Sequence, residues 1–184
     1  MKKQLLTATL YTLITAVALG IVYPLLITGI AHLAFPNKAN GQLITRNNEI
    51  IGSALIGQPF TGPTYFHSRP SSAGTGYDAA NSSGSNLAPT NKALVDRINT
   101  SVATESTNTA VPIDLVTTSA SGLDPAITPA AALYQIPRIA KARNLSETTL
   151  RQLIQSNTTQ RQLGLLGEPT VNVLQLNLAL DATK

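Results

Sequence analysis

Cysteine and tryptophan are both absent from the chain. Without cysteine there can be no disulfide, no thiolate metal site and no lipidated N-terminal cysteine, and neither side of a membrane is favoured on redox grounds. Histidine is nearly absent too, with His32 and His67 the only two. His32 falls in an apolar run, so an HExxH helix or a multi-histidine zinc centre cannot be built from the rest. Charged residues make up 12% of the chain, against roughly 25% in an average soluble domain. The formal net charge of +4 owes two units to Lys2 and Lys3; beyond them eleven basic side chains face nine acidic ones. That near-balance argues against nucleic acid as a partner. A surface rich in Ser, Thr, Asn and Gln and poor in charge is suited to lying against other protein.

Catalytic signatures are missing as well. No G-x-S-x-G elbow accompanies His67, whose place beside Phe66 in a polar stretch reads as loop packing. Asp114 and Asp124 could form an acid/base pair, but each stands at a turn, where Asp commonly caps backbone. Neither Gly74-Thr75-Gly76-Tyr77 nor Ser83-Gly84-Ser85-Asn86 is followed by the Lys-Ser/Thr that closes a phosphate-binding loop. We therefore assign no catalytic residue, no metal and no autonomously bound cofactor.

What is present begins with a long hydrophobic run. No charged side chain occurs from Leu5 to Phe35, the length of a bilayer-crossing helix, with Lys2 and Lys3 before it and Pro36 to Gly41 breaking it after. A signal peptide has an apolar core of roughly 7–15 residues, about half this length. The expected organisation is a short tail at 1–4, a transmembrane helix at 5–35 and one soluble domain at 36–184. The tail is so short that insertion with the N-terminus in the cytoplasm and the domain exported is simplest. Gly20, Pro24 and Gly29 suggest either close packing on neighbouring helices or tolerated breaks in the span.

In the domain, Gln42–Thr45 and Ile50–Gly57 read as a hairpin around a turn at Arg46–Glu49. Residues 61–91 have the Gly, Ser, Pro and Asn content of a linker. Tyr65, Phe66, Arg69, Tyr77 and Asp78 within them indicate a binding or docking loop instead. Thr90 is expected to cap a helix bearing Leu94, Val95, Ile98 and Val102, and Leu115–Thr118 reads as a short strand. Thr128-Pro129 should open a helix with Leu133, Ile136 and Ala140 on one face, kinked or divided at Pro137. Ser146 should cap another, with Glu147 in its first turn. Alternating Leu174, Leu176, Leu178 and Leu180 read as a final strand. The fold class is a single N-terminal transmembrane α-helix followed by one mixed α/β (α+β) soluble domain.

These residues resemble the C subunit of the Kdp-type potassium-transporting ATPase over nearly the whole chain. The likeness runs through Tyr23-Pro24-Leu25, Thr28-Gly29 and Phe35-Pro36, then Leu55-Ile56-Gly57-Gln58-Pro59-Phe60. It continues in Tyr65-Phe66, Arg69-Pro70-Ser71, Tyr77-Asp78, Ser85-Asn86-Leu87 and Pro89-Thr90-Asn91. Asp114-Leu115, Gly122-Leu123-Asp124-Pro125, Tyr134-Gln135 with Arg138, Leu166-Gly167-Glu168-Pro169 and the leucine-rich C-terminus follow in order. Ala126 stands where the family usually has histidine, Ala88 and Ala120 where glycine is common, and Asn144 where glycine often ends a helix.

The resemblance implies a non-catalytic accessory subunit of a potassium import pump in the bacterial inner membrane. Its partners would be a potassium-binding channel-like subunit, a P-type ATPase catalytic subunit and a very small stabilising subunit, beside membrane lipid. It implies either a catalytic chaperone that shares ATP with the catalytic subunit, or a cap over the outer entrance of the potassium-binding subunit. An exported domain favours the cap. Candidate partner contacts are Tyr23, Pro24, Gly29, Arg69, Tyr77, Asp78, Asn86, Asn91, Asp114, Asp124, Gln135 and Arg138. A membrane-tethered binding module and an anchored hydrolase are the alternatives.

Overall fold

The computed structural model describes residues 1–106 and 109–183, in two compact units, Met1–Ile50 and Ile51 onward. The first unit holds a helical run from Lys2 to Ala34, apolar and long enough to cross a membrane, with no part of it buried in the protein. It is not uniform. Helix α1 (Lys2–Val17) passes through a wider π turn at Ala18–Val22 into α2 (Tyr23–Ala34). Pro24 explains the turn: its nitrogen cannot donate to the Gly20 carbonyl, and widening the coil makes room for its ring. The run ends where Phe35 leaves helical geometry (φ −139°, ψ 55°), and Pro36–Ala39 adds one further turn, α3.

Strands β1 (Leu43–Arg46) and β2 (Glu49–Ser53) form a two-stranded sheet. The connection is shorter than the composition suggested. Only Asn47 and Asn48 turn the chain, both at positive φ, the geometry of a two-residue hairpin that asparagine tolerates.

The second unit packs helices on a small antiparallel sheet. Helix α4 (Lys92–Glu105) is capped by Asn91, whose side chain accepts from the Ala93 N–H, one residue later than expected. Its intended apolar face is only half covered, with Val95 47% and Val102 37% exposed. The strand expected at Leu115–Thr118 is absent. Ile113–Leu115 form a 3₁₀ turn, closed by the Thr117 hydroxyl donating to the Ile113 carbonyl, and Leu115 and Val116 are buried without any ladder. Strand β3 (Ala126–Ile127) leads to α5 (Pro129–Tyr134) and α6 (Ile136–Arg143), separated at Gln135 just before Pro137 as the proline required. Thr128 caps α5 through the Ala131 N–H. Leu133 faces outward at 38% exposure, and Ala131, Ala132, Ile136 and Ile139 make the buried face. Asn144 ends α6 in the left-handed conformation (φ 55°, ψ 41°), the role glycine plays more often.

Ser146 caps α7 (Glu147–Ser156), which leads into β4 (Thr158–Thr159). β5 (Thr170–Asn172) lies centrally, opposing Ala126–Ile127 on one side and Thr158–Thr159 on the other. The predicted C-terminal leucine strand is instead helix α8 (Val173–Ala182). The Asn172 side chain accepts from the Gln175 N–H and starts the helix. Val173, Leu176, Asn177 and Leu180 then bury one face at helical spacing, which the simple alternation of leucines concealed. The core comprises Phe66, Leu115, Ile127, the buried residues of α5 to α7, and Val171, Val173, Leu176 and Leu180. The chain is thus an α+β fold behind one long apolar helix.

Candidate functional site

From Ala54 to Asn91 the chain forms no helix or strand, yet it is not slack. A backbone without a ladder must still pair its buried N–H and C=O groups, and here side chains from distant helices do so. Phe66 is wholly buried, and Asn177 on α8 clamps it: Oδ1 accepts from the Phe66 N–H and Nδ2 donates to the Phe66 carbonyl, both at 2.9 Å. Gln135 repeats the device one residue on. Its Oε1 accepts from the His67 N–H (2.7 Å) and its Nε2 donates to the His67 carbonyl (3.3 Å). Both amides are 1% exposed. Each mimics a strand partner, and removing either would take the partner from two backbone groups, fully buried at Phe66 and half-buried at His67.

Arginines hold the carbonyls on either side. Arg138 donates from Nη1 to the Gly62 and Tyr65 carbonyls and from Nη2 to Gln135 Oε1. Burial lowers its pKa, opposed by the Glu105 carboxylate. Arg143 donates to the Thr64 carbonyl, pairs with Asp181 at 2.8 Å and lies 4.7 Å over the Tyr65 ring. His67 Nδ1 is 2.6 Å from Glu105 Oε1 and Nε2 is 2.7 Å from the Gly62 carbonyl, so both ring nitrogens are already engaged by protein oxygens. No ring nitrogen is left to activate a nucleophile.

Farther along, Arg69 joins the loop to the 113–124 segment. Its Nη1 lies 3.4 Å from Asp114 and 3.8 Å from Asp124, and it also donates to Thr117 and to the Thr118 carbonyl. The two aspartates thus flank an arginine and cap backbone N–H groups, Asp114 that of Thr128 and Asp124 that of Ala126. Ser71 Oγ donates to the Gly122 carbonyl and accepts from the Ala73 and Tyr77 N–H groups. The Tyr77 hydroxyl donates to the Arg69 carbonyl at 2.6 Å, and burial raises its pKa, only partly offset by Ser68. Gly122 sits at φ +67° with the Ser83 carbonyl oxygen 2.5 Å from where a Cβ would be.

The sequence-selected residues therefore divide. Arg69 gathers Asp114, Asp124 and, through its carbonyl, Tyr77; Gln135 and Arg138 meet at His67 and Tyr65. Asn91 is a helix cap. Asp78 stays near the surface, its carboxylate held low in pKa first by the Asn81 amide and then by the Ala80 N–H. Asn86 is exposed in the left-handed region (φ 52°). Tyr23, Pro24 and Gly29 lie exposed on α2. Asn177, Glu105, Arg143 and Asp181 escaped the sequence reading. A helical reading of the leucine run would have put Asn177 on the buried face with Val173 and Leu180. Among the described residues no group of three His, Asp or Glu could hold a metal ion.

Residues 5–182 match the family described as K+-transporting ATPase, c chain. Among relatives, a protein of Koribacter versatilis named potassium-transporting ATPase KdpC subunit is 59% identical, covering 100% of this chain and 97% of its own. One of Acidobacterium capsulatum with the same name is 63% identical over 97% of each chain. Another, of Rhodopseudomonas palustris strain BisB18, is 53% identical over the full length of both. The chain belongs to the KdpC family, the c chain of the potassium-transporting ATPase.

Proposed function

We propose that the chain is the non-catalytic accessory subunit of an ATP-driven potassium import pump. α1 and α2 anchor it as a single pass in the bacterial inner membrane, N-terminus in the cytoplasm, and the folded unit acts outside as a rigid cap on the potassium-binding subunit. The observation that carries this reading is the inward use of the loop's chemistry. His67, Arg69, Arg138, Arg143, Asp114 and Asp124 all bond to the protein itself, which leaves a stiff, nearly neutral outer surface for docking. Membership of the family supports assembly with a P-type catalytic subunit and a small stabilising subunit. Asp78 and Asn86 would meet partner protein directly. The other loop residues singled out in the sequence act on that contact by holding its shape. Tyr23, Pro24 and Gly29 would pack on neighbouring membrane helices.

Capping is preferred to sharing ATP with the catalytic subunit. The glycine turn at Gly74–Tyr77 closes on the Asp78 carboxylate, of the wrong sign for a phosphate. Affinity purification of the full chain from mild detergent, with potassium-stimulated ATPase activity assayed, tests the role. Recovery of a channel-like subunit and a P-type ATPase in fixed ratio is expected, and recovery of the chain alone would point to a tethered binding module. Asn86→Cys in this cysteine-free chain should react with an impermeant maleimide added outside spheroplasts, while Lys3→Cys should not. The reverse pattern would put the domain with ATP.

A further inference from the structure

The His67 ring is held between a carboxylate and a backbone carbonyl, two groups that only accept hydrogen bonds. Nδ1 lies 2.6 Å from Glu105 Oε1 and Nε2 lies 2.7 Å from the Gly62 carbonyl oxygen. A neutral imidazole carries one N–H, so it can serve one such partner and must turn a lone pair on the other. Both contacts have the length of charge-assisted hydrogen bonds. They are satisfied together when both ring nitrogens bear protons and Glu105 supplies the counter-charge.

The pair fastens the last residue of α4 to the loop, and α4 is lightly held otherwise. Its apolar face is half covered at Val95 and Val102. Arg97 donates to the Ser72 hydroxyl at 3.2 Å, and the Tyr134 hydroxyl donates to the Glu105 carbonyl at 2.9 Å. Beside the pair a cavity of about 290 Å³ opens between α4 and the loop, lined by Phe60, Thr100, Thr104 and Leu115 with His67 and Glu105. Solvent therefore reaches both side chains, which are 18% and 12% exposed. Among the described residues, three titratable or charged groups face the ring from the elements packed on it. Glu105 of α4 touches it. Tyr134 of α5 reaches it through the Glu105 backbone, and Arg138 of α6 through the Gly62 carbonyl, to which it also donates at 3.0 Å. The Arg138 cation opposes a second charge on the ring, and the Glu105 carboxylate, in direct contact, outweighs it.

We infer that His67 and Glu105 form a proton-operated latch: with both ring nitrogens protonated it ties the C-terminal end of α4 to the loop, and loss of one proton at alkaline pH frees that end. The folded chain then holds a proton that an unfolded histidine gives up near pH 6.5, so the tie is complete at low pH and is lost as pH rises. The latch needs only this domain and is independent of the capping role.

The test uses the full chain in detergent with nitrogen-15 histidine, the His67 signal being the one missing from His67→Gln. At about pH 7.5, where an unpaired imidazole is roughly nine-tenths neutral, both His67 ring nitrogens should still carry protons. As pH rises to about 10, one proton should leave. In the same step hydrogen exchange at α4 amides, taken relative to α8 amides to cancel the direct effect of base, should quicken about tenfold, the effect of one charge-assisted hydrogen bond. Glu105→Gln supplies an amide that can donate to a singly protonated ring, so α4 should stay protected across this range without the step. A ring bearing one proton at the lower pH overturns the inference, as does an α4-to-α8 ratio that stays constant up to the higher one. So does a step that persists in Glu105→Gln. The measurements on the unaltered chain decide the matter even if that variant fails to fold.

Discussion

Two stretches of the second unit lack regular structure over much of their length and are rich in glycine or turn residues, yet they solve opposite problems. The 54–91 loop turns its chemistry inward: Phe66 fills the core, and amides and arginines from the α5–α6 junction, α6 and α8 pair its backbone. The 160–169 hairpin is self-sufficient in backbone bonding and turns its apolar side chains outward. Irregular chain is therefore no measure of looseness. What separates the two is where unsatisfied groups end up. In the loop they are polar and met by the protein itself; in the hairpin they are apolar and met by nothing within it.

The comparison is broken most severely at the clamp. Asn177→Ala should leave the Phe66 N–H and carbonyl buried and unpaired, destabilising the chain by about 3 kcal/mol. Thermal unfolding in detergent should drop by roughly 10 °C, and the Phe66 amide should lose its hydrogen-exchange protection. A neutral result would mean the loop is held some other way. Gly122→Ala should come next, at about 2 kcal/mol by denaturant titration, because a Cβ at that positive φ meets the Ser83 carbonyl and the Ala73 amide.

A smaller effect concerns Tyr77. Its pKa is raised by burial, so the neutral hydroxyl is the form the fold favours. The stability it contributes is complete below the unfolded value near 10 and is lost as pH rises through the folded value. Tyr77→Phe should cost about 1 kcal/mol at neutral pH through the lost bond to the Arg69 carbonyl, and should flatten the alkaline end of the stability profile. An equally steep alkaline loss in the variant would assign it to other groups. The smallest change sharpens the contrast from the other side: Leu163 adopts φ +53°, and Leu163→Gly should shift stability by less than about 1 kcal/mol, in the stabilising direction if strain relief prevails. A destabilisation as large as that of Asn177→Ala would show the hairpin to be internally supported after all.

Helix caps and breaks were legible in the residues because they depend on neighbours. Thr128 with Pro129, Ser146, Pro137 and the end of the apolar run at Phe35 all act within a turn of themselves. The embedded aromatic and charged residues drew attention to 61–91 in the sequence, though not to what they would touch. Phe66 meets Asn177 across 111 positions and His67 meets Gln135 across 68. No local pattern encodes such a meeting. The leucine alternation at 174–180 misled for a related reason. Period two and helical spacing overlap in a run this apolar, and the Asn172 cap together with the place of β5 in the sheet chose the helix.

The sequence by itself determined the membrane-length helix, most helix starts and the family to which the chain belongs. Each of these follows from composition or from residues within a few positions of one another. Only the tertiary structure decided that His67, Arg69, Gln135 and Arg138 spend their bonding capacity inside the domain, and that three leucines at 163–166 do not. Hydrogen-bond satisfaction and burial are properties of what lies near in space, and here that is chain from distant parts of the sequence.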